Sequence, residues 1–237
     1  MTQNSPPVPA RRIAPLTLVM ALSMLTLAVL FALWPQPDLA VSAFFYRTDI
    51  HAFVGRHSTV ALAIYKFIPL LSTCVIGAVV LAFIGSFFIR DRRGRAWRIR
   101  TGFLAAALAL GPGLVVDVVL KDYWGRARPS EVVEFGGQAR FTPAFLPSDQ
   151  GGRSFVSGHA SAGFFVAAFG FFGGSVARRR WTLIGLAFGG IVGFGRITQG
   201  GHFLSDVVFA FYFTWFSVWL VWVIFRKLGW LPIQDAK

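Results

Sequence analysis

The residues best equipped for chemistry fall in three short segments of the 237-residue chain: 121–129 (KDYWGRARP), 154–159 (SFVSGH) and 196–206 (RITQGGHFLSD). His202 and Asp206 are four apart. On one helical face the carboxylate would accept from one imidazole nitrogen, fix the tautomer and raise the nucleophilicity of the other. Ser157, Gly158 and His159 directly precede an apolar run. Their amides are therefore donors of a helix start, and with the Ser157 hydroxyl they form an anion cradle that Gly158 lets a ligand approach. Lys121, Arg126, Arg128 and Arg196 supply cations, and an arginine fork binds two phosphate oxygens at once. Two histidines with such cations suffice for covalent phosphoryl transfer: one attacks phosphorus, the other protonates the leaving oxygen, and the cations stabilise the equatorial oxygens. That scheme requires no metal or other cofactor, and the sequence shows no Cys/His/carboxylate cluster with metal-ligand spacing.

Each feature has a plainer reading when taken alone. Interfacial Lys and Arg anchor to headgroups, Ser-Gly-His caps a helix, and a His–Asp pair satisfies itself inside a bundle. Asp117 either pairs with Lys121 four residues on or turns into the bundle. What ties the segments together is the set of elements that carry them. Hydrophobic residues make up 55% of the chain and charged residues 14%, which marks an integral membrane protein. Six apolar spans are expected near 16–34, 67–89, 101–120, 158–177, 181–196 and 203–225, giving an all-α six-helix bundle. Six arginines lie in the stretch 90–100, three more at 178–180, and others flank the first and last spans. The positive-inside rule then places both termini and these loops in the cytoplasm. Cytoplasmic tails are expected at 1–15 and 228–237, around a membrane domain at 16–227. By parity all three chemical segments reach the opposite face. The net charge of +13 sits at span ends, which fits orientation and lipid headgroups and argues against a nucleic-acid partner. Span one, though preceded by Arg11 and Arg12, has an apolar run longer than a signal peptide's and reads as a retained anchor. The single cysteine, Cys74, lies in an apolar stretch and fixes no redox compartment.

Lys-x6-Arg-Pro, Ser-Gly-His and Arg-x5-His-x3-Asp, in this order, resemble the three-part signature of the type-2 phosphatidic acid phosphatase superfamily. The resemblance implies that His202 is a nucleophile forming a phosphohistidine, that Asp206 orients it, and that His159 is the general acid. It likewise implies phosphate binding by Lys121, Arg128, Ser157, Gly158 and Arg196. Val156 stands where the family usually has proline, and Gly195 where it usually has serine, which touches loop rigidity more than the reacting groups. WGRARP, EFGG, FTPA and SFVSGHAS are similar to bacterial membrane members that include lipid A phosphatases.

The resulting expectation is a phosphatase of the bacterial inner membrane with its site on the periplasmic face and a lipid phosphate in the bilayer as substrate. Lipid A leads, with undecaprenyl pyrophosphate or phosphatidylglycerophosphate behind it, and phosphotransfer shares the first half-reaction. The rival from another class is an anion transporter. It calls for polar residues deep in several spans, whereas Asp117 and Asp206 are the acidic ones and both lie near the outer ends. Oligomeric state is not legible. The loop 36–66 mixes Phe44, Phe45, Tyr46 and Phe53 with Arg47, Arg56 and His57, as an interfacial segment or an anchored connection would. Gly185, Gly189 and Gly193 suit close helix packing.

Overall fold

The structure, a computed structural model, describes residues 15–231. The expected N-terminal tail, save Pro15, and the expected C-terminal tail beyond Leu231 therefore fall outside the described residues. Helix α1 (Pro15–Leu33) is followed by the short α2 (Gln36–Phe44) and a two-residue hairpin, β1 (Tyr46–Arg47) with β2 (Ala52–Phe53), in which Tyr46 faces Phe53. Then come α3 (Thr59–Gly85) and α4 (Arg92–Leu108). Helix α4 runs on through a π-helical stretch, Ala109–Leu120, into the single turn α5 (Lys121–Tyr123). Proline at 112, which has no N–H to give to the α ladder, lies in that wider stretch. Helix α6 (Gly158–Phe164) tightens into a 3-10 run, Phe165–Phe172, before α7 (Ser175–Thr198) and α8 (Leu204–Lys227). Among the described residues, five helices are long and apolar enough to cross a membrane, and Gly158–Phe172 is apolar but shorter.

Three helices, α3, α4 and α7, begin earlier than hydropathy alone predicts. Ser58 caps α3, its Oγ accepting from the Ala61 amide at 3.3 Å, so the helix starts eight residues before the expected 67. Lys66 lowers the local hydropathy without interrupting the ladder. Asp91 caps α4 by accepting from the Gly94 amide at 2.9 Å, and the arginine-rich stretch expected as a loop is thus mostly the opening turns of a helix. The arginines at 178–180 likewise belong to α7.

Helix α8 is the hub. Phe209, Ala210, Trp215 and Val218 are fully or almost fully buried there, whereas α1 and α3 turn Leu22, Leu25, Leu70 and Leu81 outward, as a lipid-facing surface requires. Through the expected glycines α7 approaches α6, its 3-10 continuation and α8 closely. A Cβ on Gly185 would stand 2.8 Å from the Ala167 nitrogen, one on Gly189 would overlap the Phe164 ring, and one on Gly193 would overlap Val207. The four-residue spacing on α7 is thus a packing stripe. Gly189→Val should lower stability by about 1–3 kcal/mol, read as an earlier unfolding transition in detergent. Gly190→Ala, at a position with nothing within 4 Å of the added carbon, should not.

Candidate active site

The ends of α5 and α7 and the starts of α6 and α8 meet at one end of the bundle, beneath the hairpin and the 124–157 segment. A small second core of Phe53, Ala127, Val132, Phe135 and Phe203 ties these connections together. Gly200 needs its left-handed backbone (φ +67°) and its missing side chain, because the Phe53 ring fills the space a Cβ would take. The Gly200 carbonyl also accepts from the Ser130 amide at 3.0 Å, joining the turn before His202 to the segment that carries Arg128.

His202 lies in that turn, two residues before α8 begins, so helical i, i+4 geometry does not apply to it and Asp206. Its Nδ1 instead donates to the Ser154 carbonyl at 2.8 Å, with Asp206 Oδ2 at 3.7 Å. Because a carbonyl only accepts, Nδ1 carries the proton and Nε2 keeps a free lone pair. Burial holds the imidazole below its ordinary pKa of 6.5, against the opposing pull of Asp206. A neutral, oriented imidazole is a nitrogen nucleophile ready at neutral pH.

Asp206 is occupied by other partners. Its Oδ2 accepts from Ser154 Oγ at 2.6 Å and from the Phe203 amide at 2.8 Å, and its Oδ1 accepts from Arg126 Nη1 at 2.6 Å. Ser154 thus connects the two expected partners: its hydroxyl binds Asp206 while its carbonyl holds His202. Arg126 is fully buried and is therefore no phosphate ligand, unlike the cation beside Lys121 and Arg128 that the sequence suggests. It donates to Asp38 Oδ2 at 2.8 Å, to Ser205 Oγ at 2.9 Å and to the Thr142 carbonyl at 2.8 Å, with Phe203 across its guanidinium face at 4.4 Å. Asp38, on α2, is equally buried and also accepts from the Ser205 amide and hydroxyl at 2.8 and 2.6 Å. Burial pushes the Asp38 carboxyl above its ordinary range, and the Arg126 charge works against that.

The cations that face the site are Lys121, Arg128 and Arg196. Lys121 pairs with Asp117, which settles the two readings of that carboxylate, and a Cβ on Gly158 would overlap the ammonium. A glycine there is what lets the lysine lie over the α6 start. In the same way a Cβ on Gly201 would overlap the Arg196 guanidinium. Arg196 donates to Gln199, and both Arg128 and Arg196 keep a buried Nε–H with no acceptor among the described residues, so each has a donor to spare for an anion. Electrostatic coupling links His159 to Arg196, His202 and Lys121, and links His202 to Arg196 and Arg128. These groups thus lie near enough to feel one another's charge, and Lys121, Gly158 and His159 line one cavity. The Ser157 hydroxyl oxygen caps α6 by accepting from the Ala160 amide at 3.4 Å. Arg153 and Arg140 are held by Asp122 at 2.7 Å and Asp149 at 3.5 Å, on the exposed rim.

From Lys121, Gly158 and His159 a cavity of about 670 Å³ runs along α3 from Ile68 to Val80, walled by Leu108 and Phe165 among other apolar side chains. The twelve helical steps from Ile68 to Val80 rise about 18 Å. One leaflet of bilayer hydrocarbon is about 15 Å deep.

A polytopic helical protein with a pair of histidines ringed by cations, open to an apolar cavity, is the class of molecule that these observations define. The model of the PAP2 superfamily matches residues 100–230, and the chain belongs to that superfamily. It is 36% identical over 209 residues to a lipid A 4'-phosphatase of Francisella tularensis subsp. novicida, covering 84% of this chain and 91% of that protein. Lipid A 4'-phosphatases of Rhizobium etli (36% identity, 48% of this chain and 44% of theirs) and Rhizobium leguminosarum (35%, 43% and 44%) are also similar. No solved structure gives a significant match.

Asp38 and Tyr65 lie outside the three segments, and Ser154 and Ser205, though inside them, were given no role by the sequence reading. Outside the segments, Asp38 offered a signal as a carboxylate between an apolar span and an aromatic-rich loop. Removing one member of a buried ion cluster strands the others, at a cost of about 3–5 kcal/mol. Arg126→Met should therefore unfold the protein at markedly lower temperature. Arg128→Met should leave the unfolding temperature close to that of the wild type while abolishing turnover, and a detergent melt paired with a phosphate-release assay separates the two.

Proposed function

We propose that the protein is a lipid phosphatase of the bacterial inner membrane that hydrolyses a phosphate from the lipid A headgroup, with His202 as nucleophile. The observation that carries this reading is the fixed His202 tautomer, with Nε2 free, among Lys121, Arg128 and Arg196. The Nε2 lone pair attacks phosphorus and the bond to the lipid oxygen breaks, with His159 giving that oxygen its proton. Water, deprotonated by His159, then releases phosphate from His202. Ser157 and Gly158 complete the phosphate site, and Asp206 orients His202 through Ser154. The apolar cavity, as long as one leaflet is deep, favours a substrate with hydrocarbon chains. Similarity to the lipid A 4'-phosphatase of Francisella tularensis subsp. novicida over most of both chains favours lipid A and its 4'-phosphate.

Purified protein incubated with lipid A, undecaprenyl pyrophosphate and phosphatidylglycerophosphate should release inorganic phosphate fastest from lipid A, with loss of one phosphate in the lipid mass. Phosphate reappearing on a second lipid would instead make it a transferase. His202→Ala should abolish turnover of both lipid and aryl phosphates, and acid-labile phosphate should be trapped on His202 in the wild type. A nucleophile works deprotonated, so its activity is full above its pKa and lost below it. With that pKa depressed, the acid limb of kcat/KM for an aryl phosphate should lie below 6.5. A limb above that value would contradict a buried neutral His202.

Six spans, with both termini cytoplasmic and the site periplasmic, complete the reading. Its support is that Arg92, Arg93 and Arg95, the arginines at 178–180, and Arg226 with Lys227 lie at helix ends opposite the site. After Cys74→Ser, a cysteine at the exposed Gln138 should react with an impermeant thiol reagent applied to spheroplasts, and one at the exposed Arg93 should not. The reverse pattern would place the site in the cytoplasm.

A further inference from the structure

Helix α3 contributes no residue to the three segments, yet one of its turns reaches both His159 and Arg196. The Tyr65 ring stacks on the His159 imidazole, with centroids 5.3 Å apart and planes 15° from parallel. The Arg196 guanidinium lies over the same ring at 4.5 Å. The backbone carbonyl of Tyr65 accepts from His159 Nε2 at 3.2 Å. In an α-helix that carbonyl belongs to the amide four residues on. Here that residue is Pro69, which has no N–H, so the ladder leaves the Tyr65 oxygen without its usual donor. Pro69 also lines the cavity beside His159.

We propose that Tyr65 and Pro69 are positioning residues that set His159 for proton donation: Pro69 frees the Tyr65 carbonyl for Nε2, and the Tyr65 ring fixes the imidazole plane and the Arg196 fork. The inference rests on the phosphatase reading given above and deepens it. Since the carbonyl only accepts, Nε2 bears a hydrogen in both protonation states of His159, and the proton that moves is the one on Nδ1. In the first half-reaction the Nδ1 proton passes to the lipid oxygen as its bond to phosphorus breaks and the His202 Nε2–phosphorus bond forms. Neutral His159, still donating from Nε2 to Tyr65, then takes a proton from water at Nδ1. The water oxygen bonds to phosphorus and the nitrogen–phosphorus bond breaks. The imidazole need not turn between the two steps.

The test compares kcat on a lipid phosphate, whose alkoxide leaves poorly, with kcat on nitrophenyl phosphate, whose leaving oxygen needs little help from an acid. Pro69→Ala supplies an amide that competes for the Tyr65 carbonyl, and alanine favours the helix, so the fold is retained. It should lower kcat on the lipid by about tenfold or more and on the aryl ester far less, within the range a general acid contributes. Tyr65→Leu should shift the ratio in the same direction and raise KM for both substrates, because Arg196 loses its aromatic support. Tyr65→Phe keeps ring and carbonyl and should restore the wild-type lipid-to-aryl ratio. His159→Ala is the benchmark. If it shifts the ratio while Pro69→Ala and Tyr65→Leu leave it unchanged, or lower both substrates in parallel, the positioning role is overturned and the phosphatase reading stands. If His159→Ala itself leaves the ratio unchanged, the acid role of His159 falls and the positioning role falls with it.

Discussion

The site is organised around one buried guanidinium. Arg126 lies between Asp38 and Asp206, at 2.8 and 2.6 Å, with all three side chains out of contact with solvent. Two carboxylates facing one cation leave an excess negative charge in a low-dielectric interior. That charge is tolerable because the amides of Ser205 and Phe203 and the hydroxyls of Ser205 and Ser154 all donate to it. The cluster draws on α2, the segment after α5, the approach to α6 and the start of α8. Its hydrogen-bonded pair Asp38 and Ser205 lies 167 residues apart, so the cluster fixes where the connections lie before any substrate group is considered.

The cations that must face an anion follow a different rule. They are placed by absent atoms. Gly158 leaves room for the Lys121 ammonium and Gly201 for the Arg196 guanidinium, while Arg126, with its donors spent on carboxylates and the Thr142 carbonyl, has little left to offer. Arginine type and spacing alone cannot separate these cases, since Arg126 and Arg128 are two residues apart. Arg126 nevertheless turns inward to Asp38 and Asp206, while Arg128 keeps an unpaired Nε–H among the described residues.

This difference explains what could be read in the sequence. Hydropathy and charge located the helical segments, because a membrane span is a long, one-sided compositional signal. Helix starts were misplaced where a cap decided them, as at Ser58 and Asp91, because one hydrogen bond leaves no trace in a hydropathy average. The three motif segments do meet, joined by the bonds of Ser154 to Asp206 and His202 and of Ser130 to Gly200. Asp38 and Tyr65 escaped notice because their partners lie 88 and 94 residues away. The i, i+4 argument for His202 and Asp206 found the right pair with the wrong contact, since it assumed a helix that begins two residues later.

Both histidines are held by backbone carbonyls, but through opposite nitrogens. His202 gives its Nδ1 proton to Ser154, while His159 gives its Nε2 proton to Tyr65. The nitrogens left for exchange are therefore Nε2 on one ring and Nδ1 on the other, each with its tautomer set by a neutral acceptor. A carboxylate in direct contact would stabilise the cationic form of a nucleophilic imidazole and so reduce the fraction with a free lone pair. Keeping Asp206 3.7 Å from His202, saturated by Arg126 and Ser154, avoids that loss and still leaves a negative charge near the ring. The buried cluster is thus more than scaffolding: by consuming the hydrogen-bonding capacity of Asp206 it hands the orientation of His202 to a group with no charge.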